Sequence, residues 1–209
     1  MTEIVVVVIA YLLGSIPFAY LAGRMRGIDI RTVGSKNVGA TNVFRTLGKG
    51  IGVAVMVLDI AKGLIAVLIA HAETGSPWPL IAAAAAILGH VFPVWLRFKG
   101  GKGVAVAGGA MIGLVPVPAL IVVVIWLVIV AITRYVSVGS ILAAVALPLL
   151  VVAFGAPWPT LVFACLASVV LIVRHRANMR RLMHGDELRL EFGKKRSATD
   201  AEHPGDARR

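Results

Sequence analysis

The strongest constraint on this chain is a succession of apolar stretches, each near helical membrane length and each bounded by charges or turn residues. They run from about Ile4 to Ala22, Ile51 to Ala70, Trp78 to Leu96, Val104 to Thr133, Ser140 to Phe154 and Thr160 to Val173. About 20 residues at about 1.5 Å rise cross a hydrocarbon core of about 30 Å. Backbone groups in lipid must be satisfied within their own segment, and these stretches do not alternate polar with apolar, so helices are expected rather than a barrel. A mean hydropathy of +0.91 with 59% hydrophobic residues excludes an ordinary soluble domain of 209 residues.

The fourth stretch has 30 residues, which as one helix would measure about 45 Å. Arg97, Lys99 and Lys102 precede it and Arg134 follows it, a same-side pattern if positive residues stay inside. Two crossings satisfy that pattern, with a turn at Leu114-Val-Pro-Val-Pro118, where two prolines remove backbone donors. The expected fold class is therefore an all-α integral membrane protein: a bundle of seven transmembrane helices, several short, with the N-terminus outside and the C-terminus cytoplasmic. All 21 Lys and Arg residues except Lys62 then fall at or beyond cytoplasmic helix ends. That asymmetry makes the net charge of +11 a matter of orientation, and no nucleic acid is expected as a partner.

Residues 1–193 are expected to form one polytopic domain, and residues 194–209 a polar, disordered cytoplasmic tail whose Lys194-Lys195-Arg196 can touch anionic lipid. Met1-Thr2-Glu3 lacks the basic start of a signal peptide, so the first stretch is expected to be retained. Cys165, the single cysteine, allows no internal disulfide and no thiolate metal site, and is expected to be a buried, inert thiol. No metal or cofactor is expected.

Four polar segments interrupt the apolar pattern. The first loop, about 26 residues from Gly23 to Gly48, contains Gly34-Ser-Lys-Asn-Val-Gly-Ala-Thr-Asn-Val-Phe-Arg45. Ser35, Lys36, Asn37, Thr41, Asn42 and Arg45 can surround an anion or a polyol, and Gly34 and Gly39 permit close backbone approach. A solvated connecting loop is equally consistent with that composition. The second loop, Phe98-Lys-Gly-Gly-Lys-Gly-Val104, sets glycines and Lys102 before a helix. Backbone donors, the helix dipole and a formal cation would cradle an anion there, although the spacing is not that of a Walker A loop. In the third, Arg134 to Ser140, Ser137 and Ser140 suit a helix N-cap.

The fourth begins at His175, and on a continuing helix His175, Asn178 and Arg181 share a face. Within the bilayer, Asp59 and Lys62 lie three residues apart and are expected to pair, while His90 can either hold the second loop or reach the site. No Gly-x-Ser-x-Gly elbow occurs, which favours direct attack over a covalent intermediate.

Over nearly its whole length the chain resembles the bacterial acyl-phosphate:glycerol-3-phosphate acyltransferase family. The resemblance rests on Gly14-Ser-Ile-Pro17, on Gly34 to Asn42, on Gly89 to Ala105, on Ser137-Val-Gly-Ser140 and on the His175 to Glu187 segment. It implies transfer of a fatty acyl group from acyl phosphate to the 1-hydroxyl of glycerol 3-phosphate at the inner membrane, giving lysophosphatidic acid and phosphate. By the same resemblance Ser35 and Arg45 belong to a catalytic loop, Gly100, Gly101, Lys102 and Gly103 to a phosphate cradle, and His175 and Asn178 to the active-site face. Glu187 is implied as structural. Catalytic roles are thus expected of Ser35, Arg45, Lys102, His175 and Asn178, and substrate contacts of Lys36, Asn37, Gly39, Thr41, Asn42, Gly100, Gly101, Gly103, Ser137 and Ser140. The expected partners are both substrates, membrane lipid and, transiently, the soluble enzyme that makes acyl phosphate. A transporter would need polar stepping stones in the outer helix halves, which are almost wholly apolar.

Overall fold

A computed structural model describes residues 2–190, and the expectation for the 194–209 tail lies outside them. Among the described residues ten α-helices follow one another: α1 (Thr2–Ser15), α2 (Phe18–Arg24), α3 (Ala40–Thr46), α4 (Lys49–Glu73), α5 (Trp78–Val91), α6 (Val104–Leu114), α7 (Pro116–Thr133), α8 (Val136–Ala153), α9 (Trp158–Arg174) and α10 (Arg176–His184). A 3-10 turn spans Val94–Leu96, and the described residues contain no strand. The all-α membrane class follows directly.

Five segments among the described residues are long and apolar enough to cross a bilayer: Thr2–Arg24, Lys49–Glu73, Trp78–Leu96, Pro116–Thr133 and Val136–Ala153. The bent α9–α10 pair makes a sixth. The thirty-residue stretch is indeed divided, with α6 ending at Leu114 and α7 starting at Pro116. Proline at a first helical position loses nothing, because its missing N–H would have had no partner. The same economy opens α5 and α9, where Trp78-Pro79 and Trp158-Pro159 begin each helix.

Two further features go beyond the apolar pattern. Pro17 breaks the first stretch into α1 and α2, and the first loop holds the short helix α3.

Small residues set the helix spacing. A Cβ on Gly63 would strike the Val106 carbonyl, and one on Gly109 would strike the Ile60 carbonyl, so α4 and α6 pack backbone to backbone. Gly14 against Ala86 and Gly89 against Tyr11 do the same for α1 and α5. The core between them is alanine-rich, with Ala66, Ala82, Ala83, Ala86 and Ala110 almost wholly buried. Larger side chains such as Leu127, Ile132, Leu149 and Leu166 face outward, as a lipid-solvated surface requires. Cys165 belongs to that outer surface: it is exposed on α9, which corrects the expectation of a buried thiol. An apolar stretch specifies immersion in lipid without saying which side of the helix meets it.

Candidate active site

All four polar segments come together at one end of the bundle. In the first loop the carboxamide of Asn42 organises the chain around it. Its Nδ2 donates to the carbonyls of Ile30, Val33 and Asn37 at 3.0–3.1 Å, and its Oδ1 accepts the Ser35 N–H at 2.9 Å. Gly34 has a φ of +58°, and a Cβ there would strike Asn42 Oδ1, so the turn needs glycine. With those hydrogen bonds made, Asn42 serves the loop, leaving the side chains of Ser35, Lys36, Asn37 and Thr41 as its polar groups. Gly39, extended, caps α3, whose last turn carries Arg45. Arg45 Nη2 donates to the Leu188 carbonyl at 2.8 Å, and its half-buried guanidinium has a depressed pKa because burial disfavours the charge.

The second loop folds back on the end of α5. Gly100 N–H donates to the Val91 carbonyl and Gly101 N–H to the His90 carbonyl, each at 3.1 Å. Their own carbonyls accept from Arg174 Nη2, at 3.0 Å for Gly101. This corrects one expectation, because the amides of Gly100 and Gly101 are engaged with α5 and cannot face an anion. The first-turn N–H groups of α6, which helix geometry leaves without an intrahelical acceptor, remain open. Gly103 caps that helix at a φ of +89°. Lys102, beside it, donates through Nζ to Asn178 Oδ1 at 2.5 Å. Burial pushes the Lys102 pKa down to about 8, against the attraction of Glu187 and aided by repulsion from Arg181, Arg45 and Arg174.

The fourth segment does not continue α9. The chain bends by 51° between α9 and α10, with His175 at the bend. His175 is 2% exposed, and its Nδ1 lies 2.7 Å from the Leu171 carbonyl. A carbonyl only accepts, so Nδ1 carries a proton and Nε2 is the remaining basic position. Past α10 the chain returns, and Glu187 becomes the hub of the site. Its Oε1 accepts from Asn178 Nδ2 at 2.6 Å and from Ser137 Oγ at 2.7 Å, and its Oε2 accepts from Arg181 Nε at 2.8 Å. Burial alone would raise the Glu187 pKa, but the donors Asn178, Ser137 and Arg181 outweigh it and hold the carboxylate ionised. Leu190 N–H then donates to the Arg134 carbonyl at 2.8 Å, which closes the return segment over the start of α8.

The serine expectation needs correction. α8 begins at Val136 with Tyr135 in the capping position, so neither serine is an N-cap. Ser137 reaches Glu187, but Ser140 Oγ donates to the Val136 carbonyl at 2.8 Å and accepts from Trp126 Nε1 at 3.2 Å, joining α8 to α7. Arg174, which grips both cradle glycines, was missed in the sequence because it reads as an ordinary basic helix end. Among the described residues, no group of His, Cys, Asp and Glu could hold a metal ion. Arg45, Lys102 and Arg181 thus feel the charge of one carboxylate, Glu187, while Arg174 holds the second loop; Arg45 Nε and Arg174 Nε are buried with no hydrogen-bond partner among the described residues. The arrangement has cationic capacity for added anions.

Comparison with known proteins agrees with this architecture. The family model described as glycerol-3-phosphate acyltransferase matches residues 4–185. A glycerol-3-phosphate acyltransferase of Geobacter sulfurreducens is 46% identical over 193 residues, covering 91% of this chain and 99% of that protein. One from Agrobacterium fabrum is 48% identical over 183 residues, covering 87% and 89%. The crystal structure of PlsY (YgiH), an integral membrane glycerol 3-phosphate acyltransferase, in its glycerol 3-phosphate form matches with a TM-score of 0.88 at 43% identity, covering 91% of this chain and 96% of that one. Its lysophosphatidic acid form matches with a TM-score of 0.85 at 42% identity. This chain therefore belongs to the glycerol-3-phosphate acyltransferase family.

Proposed function

We propose that this chain transfers a fatty acyl group from acyl phosphate to the 1-hydroxyl of glycerol 3-phosphate, giving lysophosphatidic acid and inorganic phosphate. The observation that carries the proposal is the surplus of partly buried cationic groups, Arg45, Lys102, Arg174 and Arg181, over the single carboxylate Glu187, beside an apolar bundle. Two phosphates and one alkyl chain suit that surrounding. Relatives of the same architecture have been crystallised in glycerol 3-phosphate and lysophosphatidic acid forms, the acceptor and product of such a transfer.

In this mechanism the acceptor hydroxyl attacks the acyl carbonyl directly, forming the new ester C–O bond. The bond to phosphate then breaks, and phosphate leaves with the proton. Lys102 and Arg45, with the first-turn amides of α6, stabilise the developing oxyanion and the leaving phosphate. Asn178 orients the Lys102 ammonium, and Ser35, Lys36, Asn37, Thr41 and Ser137 contact the polar parts of the substrates. The leaving phosphate is the general base, with His175 Nε2 as its rival. The enzyme works as a single multi-pass domain in the bacterial inner membrane. It crosses seven times, counting α6 as a short span, and its site opens to the cytoplasm, where the soluble enzyme that makes acyl phosphate delivers the donor.

Purified protein in lipid, given glycerol 3-phosphate and either palmitoyl phosphate or palmitoyl-coenzyme A, tests the proposal through product formation. Lysophosphatidic acid is expected from palmitoyl phosphate alone, with equimolar phosphate released. Turnover with the coenzyme A thioester, or with neither donor, overturns it.

A further inference from the structure

Asp59, Lys62 and His90 lie inside the helical bundle, and each is a titratable group that the mechanism does not use. Lys62 Nζ has three neighbours: Asp59 Oδ1 at 2.8 Å, the Ile16 carbonyl at 2.8 Å and His90 Nδ1 at 3.0 Å. The Ile16 carbonyl and His90 Nδ1 are hydrogen-bonded to it, whereas Asp59 Oδ1 is an ion-pair partner without a hydrogen bond; an ammonium donates and accepts nothing, so His90 Nδ1 must be the unprotonated ring nitrogen. Asp59 and Lys62 side chains are both 3% exposed. A buried pair of this kind costs desolvation energy that well-packed apolar residues would not, so stability alone does not account for it.

The cluster touches the site at the second loop. The His90 carbonyl accepts the Gly101 N–H at 3.1 Å. Gly101 is held between the edge of the His90 ring and the Val38 carbonyl of the first loop, with no room for a Cβ. Lys62 thus fixes the ring that underlies the second loop, and its bond to Ile16 anchors the α1–α2 break on the other side. We infer that Asp59, Lys62 and His90 are positioning residues that set the height of the Gly100–Gly103 segment, and hence of Lys102, for the donor phosphate. The role rests on the proposed function for its substrate, but the loop contact is independent of that reading.

The experiment compares wild type with His90→Ala, His90→Asn and the charge-neutral double variant Asp59→Asn/Lys62→Met. It reads KM for palmitoyl phosphate and for glycerol 3-phosphate, thermal stability, and hydrogen exchange of the Gly100 and Gly101 amides. With His90→Ala the KM for palmitoyl phosphate is expected to rise by about tenfold to a hundredfold, because small misplacements of positioning groups carry losses of that order. The KM for glycerol 3-phosphate should stay within about twofold, and the two amides should lose protection. His90→Asn presents an oxygen near the position of Nδ1 and should recover most of the loss; the double variant should share the defect and, having no unpaired buried charge, decides the matter if His90→Ala does not fold. Unchanged donor KM and unchanged amide protection in variants that only melt earlier overturn the inference. A wild-type protein inert towards palmitoyl phosphate overturns the proposed function instead, and the exchange data still decide whether the cluster holds the loop.

Discussion

In the proposed mechanism the chemistry turns on Lys102, and its surroundings give it a measurable signature. Burial lowers its pKa to about 8, and the charged form is the one that holds an anion. As pH rises through about 8 the ammonium loses its proton, so kcat/KM should fall on the alkaline side. Glu187 opposes that loss, so Glu187→Gln should move the alkaline limb to lower pH; a limb that stays in place would contradict the assignment. Lys102→Gln should lower kcat by about 100- to 1,000-fold, the loss typical of one preorganised oxyanion donor. His175 tests the other half of the mechanism. If the leaving phosphate takes the proton, His175→Gln keeps nearly normal turnover, whereas a loss of several orders of magnitude makes His175 the base. Much of this site was legible as residue types: Arg45, Lys102 and Asn178 stand in glycine-rich or helical polar segments that lipid immersion would not require. Its wiring was not, because Glu187 reaches Asn178 and Ser137 through a chain reversal that no local pattern encodes.

At the scale of elements, the proline turn at Leu114–Pro116 could be read in advance because proline's chemistry is local. The helix α3 could not. It has only seven residues and no side-chain cap hydrogen bond, and it stands against α4 through tertiary packing. The bend at His175 was hidden for a related reason, since an unbroken polar-face periodicity says nothing of a 51° turn. The α4–α6 contact offers a sharper test of element packing. Gly109 faces the Ile60 carbonyl directly, whereas a Cβ on Gly108, its neighbour in sequence, would meet nothing within 4 Å. Gly109→Ala should therefore destabilise the detergent-solubilised protein by about 1–3 kcal/mol, the usual range for overpacking. Gly108→Ala should leave the melting temperature unchanged or raise it slightly, since alanine is the better helix former, and equal effects at both positions would contradict the backbone-to-backbone contact.

For the whole molecule, hydropathy and charge placement were enough to predict a helical membrane protein whose polar segments gather at one end. The four segments do meet there: Arg45 reaches Leu188, Lys102 reaches Asn178, Arg174 grips Gly101, and Ser137 reaches Glu187. Which side of the membrane that end faces depends on counting α6 as a crossing, and single cysteines can report it. With Cys165 replaced by serine, cysteines at Lys36, Lys99, Arg134 and Arg176 mark the four segments, and cysteines at Gly75 and Gly155 mark the opposite turns. Labelling by a membrane-impermeant maleimide in intact cells and in inverted vesicles is the most direct measurement. The account predicts that the four segment positions react only in inverted vesicles and the two turn positions only in intact cells. Segment positions divided between the two preparations would contradict it.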